Sequence, residues 1–151
     1  MDRLEYIRVQ TDRILQRIPS AEEQKFAYIH LYGVSKWAAF LAMKENLDPE
    51  IAAVSGMLHD IARYLENSAD HAVRGAELSL EILNHTQLFT ADEISIITSA
   101  IAHHSDKEHI HDVYDELLKN SDVLDHYFYN PKDPISPSDQ KRLLLLLKDI
   151  Q

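Results

Sequence analysis

His59 and Asp60 stand side by side in the stretch VSGMLHDIARYL, Val54 to Leu65, and the residues before them dictate where they lie. Ile51, Ala52, Ala53, Val54, Met57 and Leu58 leave no polar stripe wider than Ser55 and Gly56. A helix without a wet face is buried on every side. An ionised carboxylate at the end of such a helix costs several kcal/mol if left alone, so Asp60 requires a cation, a metal or a set of hydrogen bonds.

Other ionisable residues point the same way. Phe26, His30, Gly33, Val34, Trp37 and Leu41 recur at three- and four-residue steps, so His30 interrupts an apolar stripe and Gly33 leaves room beside it. Ile94, Ile97 and Ile101 define a face whose next member is His104, with His103 turned about 100° toward the polar side. Leu118, Asp122, Asp125 and Tyr129 share one side of a later helix, and periodicity alone does not choose between the two carboxylates. His71 follows Asp70 at a helix start, with Arg74 one turn on. Any one of these histidines is more simply a hydrogen-bonded core residue. Several helices that each deliver an inward ionisable group point instead to a metal, because a core with so many unpaired polar groups is hard to stabilise. His85, His109, His111 and His126 read as surface residues.

The elements that must position these groups are all helical. Only 3 Gly and 5 Pro punctuate the chain, and no period-two strand pattern is sustained. The spacing predicts a helix over 2–17 capped by Asp2 and stopped by Pro19, and a second over about 20–46 opened by Ser20-Ala21-Glu22-Glu23. A buried helix follows Asp48-Pro49 and ends near His59-Asp60. Further helices are predicted over Asp70 to Leu83, from Thr90-Ala91-Asp92-Glu93 toward His104, over about Asp112 to Tyr129, and, after the proline-rich loop 130–138, over about 137–149.

At 151 residues the chain is expected to form one domain, 1–151, with a sizeable core. The absence of cysteine excludes disulfides, thiolate ligands and thiol nucleophiles. A net charge of -10 argues against a nucleic acid polymer as partner, since such binding scales with the phosphates neutralised. The first residues lack an apolar signal segment, and the run Leu143 to Leu147 is too short to span a bilayer, so no membrane partner and a cytoplasmic location are expected.

The ordered series of an early helical His30, then MLHDIAR, HAVRGAE, IAHH and SDVLD, resembles the HD-domain metal-dependent phosphohydrolase superfamily over about Phe26 to Asn130. The resemblance implies an all-α, single-domain bundle of about six to seven helices. It implies His30, His59, Asp60 and Asp122 as metal ligands, with Asp125 the alternative to Asp122. His71 and His104 match two further histidines of members that hold two metals, among them small bacterial enzymes that cleave diadenosine tetraphosphate. Arg63 stands where many members have Lys, and Ala62 replaces the usual Gly. Such an N/O ligand set suits one or two divalent ions of Mn, Fe, Ni, Co, Zn or Mg.

The function so implied is hydrolysis of a nucleotide or related phosphate ester by a metal-bound hydroxide attacking phosphorus. Asp60 would bridge two ions. His71 and His104 would hold the second ion or, failing that, stabilise phosphate charge and protonate the leaving oxygen. Arg63 and Arg74 would grip phosphate from the rim. The expected partner is a small phosphate-containing substrate, and a homodimer is compatible with the sequence. The rival readings are a regulatory nucleotide-binding HD domain without turnover, a di-iron oxygenase on the same scaffold, and a purely structural bundle.

Overall fold

A computed structural model describes residues 2–150; Met1 and Gln151, the ends of the expected domain, lie outside the described residues. The chain forms α1 (Arg3–Leu15), α2 (Ala21–Lys44), α3 (Pro49–Leu58), α4 (Ile61–Glu66), α5 (His71–Thr86), α6 (Ala91–His103), α7 (Val113–Tyr129) and α8 (Pro137–Ile150), with no strand among the described residues. The starts are set by side chains that accept orphan backbone N–H groups. Asp2 accepts from Glu5, Ser20 from Glu23, and Asp48 from Glu50 and Ile51 with Pro49 behind it. Thr90 and Glu93 complete a reciprocal capping box.

α3 is the buried centre. Every residue from Ile51 to Leu58 is buried, and α3 packs against α1, α2, α6 and α7. Gly56 lets α2 come close, because a Cβ there would lie 2.7 Å from the Ser35 backbone. Val34, Val54, Met57, Leu58, Ile97, Ile101 and Leu118 fill the space around it.

The sequence places the end of this buried helix near His59-Asp60, where α3 does end, but it does not announce the short α4 that follows. The backbone is still helical at His59 but leaves the helix at Asp60 (φ -112°, ψ 13°), and α4 is a six-residue helix ended by Asn67 in the left-handed region (φ 48°). A helix that short carries too little periodicity to be recognised and is held by its neighbours rather than by propensity. The remaining helices are those expected, seven elements of ten residues or more. No described helix is long and apolar enough to cross a membrane.

The loop between α6 and α7 is pinned from below by two cations. Lys119, wholly buried, places Nζ 2.8 Å from the His109 carbonyl, 2.7 Å from His111 Nδ1 and 2.6 Å from Glu116. Arg142 of α8 donates to the carbonyls of Lys107 (2.9 Å) and His109 (3.3 Å) and pairs with Glu116 (3.0 Å). His111, expected at the surface, is half-buried and stacks on His103 at 3.9 Å, because Lys119 draws the loop inward.

Lys119→Met keeps the stem and removes the charge, leaving His111 without its donor and the His109 carbonyl with only the longer bond from Arg142. We expect a loss of about 3 kcal/mol in urea unfolding, the low end for breaking a buried pair because Glu116 retains Arg142. A change below about 0.5 kcal/mol, typical of an ordinary surface substitution, would show that this network does not hold the fold.

Candidate metal centre

α2, the α3–α4 junction and α7 bring two imidazoles and two carboxylates to one buried point. His30 Nε2 lies 3.2 Å from His59 Nε2, 3.3 Å from Asp60 Oδ2 and 3.3 Å from Asp122 Oδ1. His59 Nε2 lies 3.4 Å from Asp60 Oδ2 and 3.6 Å from Asp122 Oδ1. Adjacent residues on a regular helix diverge by about 100°. The backbone departure at Asp60 is what lets His59 and Asp60 face one point.

The hydrogen bonds on the far side of each ring fix what its near side can do. His59 Nδ1 donates to the Gly56 carbonyl (2.7 Å) and His30 Nδ1 to Asp125 (2.8 Å), so both Nε2 atoms turn lone pairs toward each other unless protonated. Asp122 Oδ1 is buried without a hydrogen-bond partner. Positive charge has to enter this cluster, as protons or as a metal cation, and the donor set of two nitrogens and two oxygens fits a divalent metal. Without the metal, burial works against charge on every member, yet the carboxylates around His30 hold it well above its usual 6.5, and Asp60 and Asp122 hold His59 up at about 9. Burial likewise opposes ionisation of Asp60 and Asp122, but His59 beside the first and Lys107 beside the second hold both well below the carboxylate range.

A second set adjoins the first through Asp60. Its other oxygen, Oδ1, lies 3.1 Å from His104 Nε2 and 3.5 Å from His71 Nε2. His104 Nδ1 donates to the Ile101 carbonyl (2.7 Å), which again leaves Nε2 free to ligate. Ser105 Oγ is 3.1 Å from His71 Nε2. The triads His30–His59–Asp122 and His59–Asp60–His104 each offer ligand atoms within 4.8 Å of one another.

Asp125, which the sequence could not separate from Asp122, stands behind the cluster and orients His30. The missing Cβ of Gly33 makes the room, since a Cβ there would come 1.9 Å from Asp125 Oδ1. A cleft of about 410 Å³ opens over the site, lined by Asp60, Arg63, His71, His104, Lys107 and His126 among others. Arg63 is exposed, and its guanidinium makes no hydrogen bond or ion pair among the described residues. Arg74 is not brought to this cleft: its guanidinium pairs with Glu66 (3.0 Å) and Glu77 (2.9 Å) on the outer surface. Glu77 lies one turn on along α5 and Glu66 at the end of α4, and together they hold it away from the cleft.

Two cleft residues escaped the sequence reading. Lys107 Nζ lies 2.7 Å from Asp122 Oδ2, and nothing in its loop sequence announces this. His126, expected to be a surface residue, is half-exposed but lies with Nε2 3.4 Å from Asp122 Oδ1 and its ring 4.5 Å from that of His30. Its position four residues after Asp122 on α7 was the available signal.

Comparison with known proteins agrees with this arrangement. The HD domain family model matches residues 27–137. This chain belongs to the HD domain family. Two curated relatives are Ribonuclease Y of Clostridium tetani, 34% identical over 82 residues, and Ribonuclease Y of Clostridium kluyveri, 31% identical over 98 residues. The alignments cover 52% and 63% of this chain but only 14% and 17% of those proteins, so the HD chain spans a small part of their length. Among solved structures, a predicted HD superfamily hydrolase from an uncultured Thermotogales bacterium superposes with a TM-score of 0.65 over 94% of this chain and 88% of the other. At 20% identity that match shows the shared fold.

The raised imidazoles and lowered carboxylates give stability a pH signature. In metal-free protein the imidazole contribution is complete below about 6.5 and is lost as pH rises through about 9, while the carboxylate contribution is complete above about 3.8 and is lost in acid. The melting temperature of chelator-treated protein should therefore fall between pH 6.5 and 9. Manganese should stabilise progressively more over the same interval, because the ligands must shed protons to bind it. A metal-free melting temperature that is flat or rising across that interval would contradict this account.

Gly33→Ala tests the space for Asp125. Its Cβ must displace the Asp125 carboxylate and so release His30, and we expect metal affinity to drop about 10–100-fold, the range for losing an outer hydrogen-bond partner of a ligand. Competition with a chromogenic chelator measures it, and an unchanged affinity would show that Asp125 does not orient the ring.

Proposed function

We propose that this HD domain is a metal-dependent phosphohydrolase acting on a nucleotide or related phosphate ester. The observation that supports this best is the convergence of the His30 and His59 lone pairs, 3.2 Å apart, on two carboxylate oxygens beneath an open cleft. His30, His59, Asp60 and Asp122 would hold one divalent ion. Asp60, His71 and His104 would hold a second, with Asp60 presenting one oxygen to each set. The bound metal supplies Lewis acidity toward a phosphoryl oxygen and lowers the pKa of water toward about 7.

The chain's own groups do the rest. Arg63, Lys107 and His126 line the cleft and take up the charge of the phosphate oxygens. Lys107, already paired with Asp122, keeps that carboxylate ionised and directed at His30 and His59. His71 is half-buried, with its pKa pushed down by that burial, and it faces the cleft next to Ser105. In protein that holds one ion, His71 and His104 are free to pass a proton to the leaving oxygen.

The relatives' name extends the comparison to RNA, whose phosphodiester would undergo the same attack at phosphorus. A small ester is the better fit, because the cleft's few cations are interleaved with Asp106, Glu108 and Asp139 and the chain carries a net charge of -10. A long polyanion needs many phosphate contacts to bind.

Elemental analysis combined with a panel of nucleotides, sugar phosphates and a short oligoribonucleotide tests this reading. We expect up to two ions per chain and turnover of a small ester. Asp60→Ala should abolish metal binding and lower kcat/KM at least about 100-fold, equivalent to about 2.7 kcal/mol of barrier. His71→Ala and His104→Ala should each reduce the stoichiometry from two toward one. No metal after loading with Mn, Fe, Ni and Zn would favour a structural bundle. Metal with ligand binding but no product would favour a regulatory domain, and oxygen-dependent turnover with iron an oxygenase.

A further inference from the structure

A larger cavity adjoins the metal cleft, and the chemistry described so far does not use it. It measures about 800 Å³ and is lined by Ile18, Phe26, Ile29, Tyr64 and Tyr129, with Ser20, Glu22, Glu23, Lys25 and Asn67 at its polar parts and Arg63 common to both cavities. Its apolar wall is only partly packed: Ile29 is 41% exposed and Tyr129 55% exposed. Tyr129 meets Phe26 edge-on at 5.3 Å, and Phe26 lies nearly parallel to the His30 ring at 5.9 Å, so this wall reaches to the outer flank of the metal cluster. Aromatic side chains left open beside a polar cleft are stacking surfaces for a flat ring.

We propose that this cavity binds the nucleobase and sugar of the substrate, with Arg63 reaching across to the phosphate held over the metal cluster. The inference rests on the phosphohydrolase reading for where the phosphate lies, and it narrows the substrate to a nucleoside phosphate. Three features of the molecule carry it. The cavity exceeds the metal cleft in volume and shares one lining residue, Arg63, with it. That residue is a cation with no partner among the described residues, one turn beyond Asp60. The walls combine aromatic faces with amide, hydroxyl and carboxylate groups able to meet the hydrogen-bonding edge of a base. The acidic residues Glu22 and Glu23 at the far rim disfavour further phosphates there, so one nucleoside, rather than a run of nucleotides, is the occupant.

The test compares nucleoside 5′-monophosphates carrying each of the four common bases with glycerol 3-phosphate, on metal-loaded full chain. KM for the preferred nucleotide should be at least about tenfold lower than for glycerol phosphate, the effect of one stacked base. Tyr129→Ala and Ile29→Ser should raise the nucleotide KM about tenfold, with kcat, metal content and the glycerol phosphate constants unchanged. Equal KM values for the two substrate types, or variants that affect both alike, would overturn the proposal. If no phosphate ester is hydrolysed, the phosphohydrolase reading fails separately, and saturation-transfer NMR with adenosine, guanosine, cytidine and uridine decides the cavity. Binding of at least one nucleoside that is lost in Tyr129→Ala upholds the base site, and binding of none refutes it.

Discussion

Two imidazole lone pairs cannot face each other in a protein core unless something positive lies between them, and most of this fold is arranged around that demand. Gly56 and Asp125 fix the outer nitrogens of His59 and His30 as donors, which commits the inner nitrogens to accept. Asp60 and Asp122 then bring negative charge to the same point, so the site is balanced by protons at low pH or by a cation otherwise. The buried α3, the close crossing permitted at Gly56 and the abrupt turn at Asp60 all serve to aim neighbouring residues at one spot. A regular helix through residues 59 and 60 would satisfy the backbone better and lose the site.

α7 is the complementary support. Asp115, Lys119 and Asp122 are buried along one helix at four- and three-residue steps, and His126 continues the series. Asp115 accepts from His103 (2.7 Å) and Ser99 (3.1 Å) of α6, so the same helix face that completes the metal cluster also ties α6 in place. Burying this many charged groups is favourable only because each has a partner. It also explains the low tolerance expected for charge removal on this face compared with the outer face of the same helix.

Much of this was legible in the sequence because it follows from periodicity. The capping residues placed most helix starts to within a residue or two, and the inward positions of His30 and His104 followed from their places on apolar stripes. The residues that were missed belong to classes of signal a linear reading handles poorly. Lys107 lies in a loop, where no period applies, and its partner is fifteen residues away. His126 was overshadowed by its exposure, although its spacing from Asp122 was informative. Arg74 was expected at the site because it follows His71 by one turn, but two nearby glutamates capture it. Periodicity left Asp122 and Asp125 undivided and the family resemblance favoured Asp122; the place of Asp125 beside Gly33 is visible only in the packing of α2 against α7.

The grip of Arg142 on the carbonyls of Lys107 and His109 joins the cleft to α8, a late segment of the chain. The anchor and the loop it holds come from stretches 33 and 35 residues apart, so this wall of the cleft is fixed by a tertiary contact and not by the loop's own sequence. The inner imidazoles and carboxylates, held by α2, the α3–α4 junction and α7, do not depend on that contact. Fraying of α8 would therefore loosen the backbone that carries the cleft's lysine and leave the metal ligands where they are.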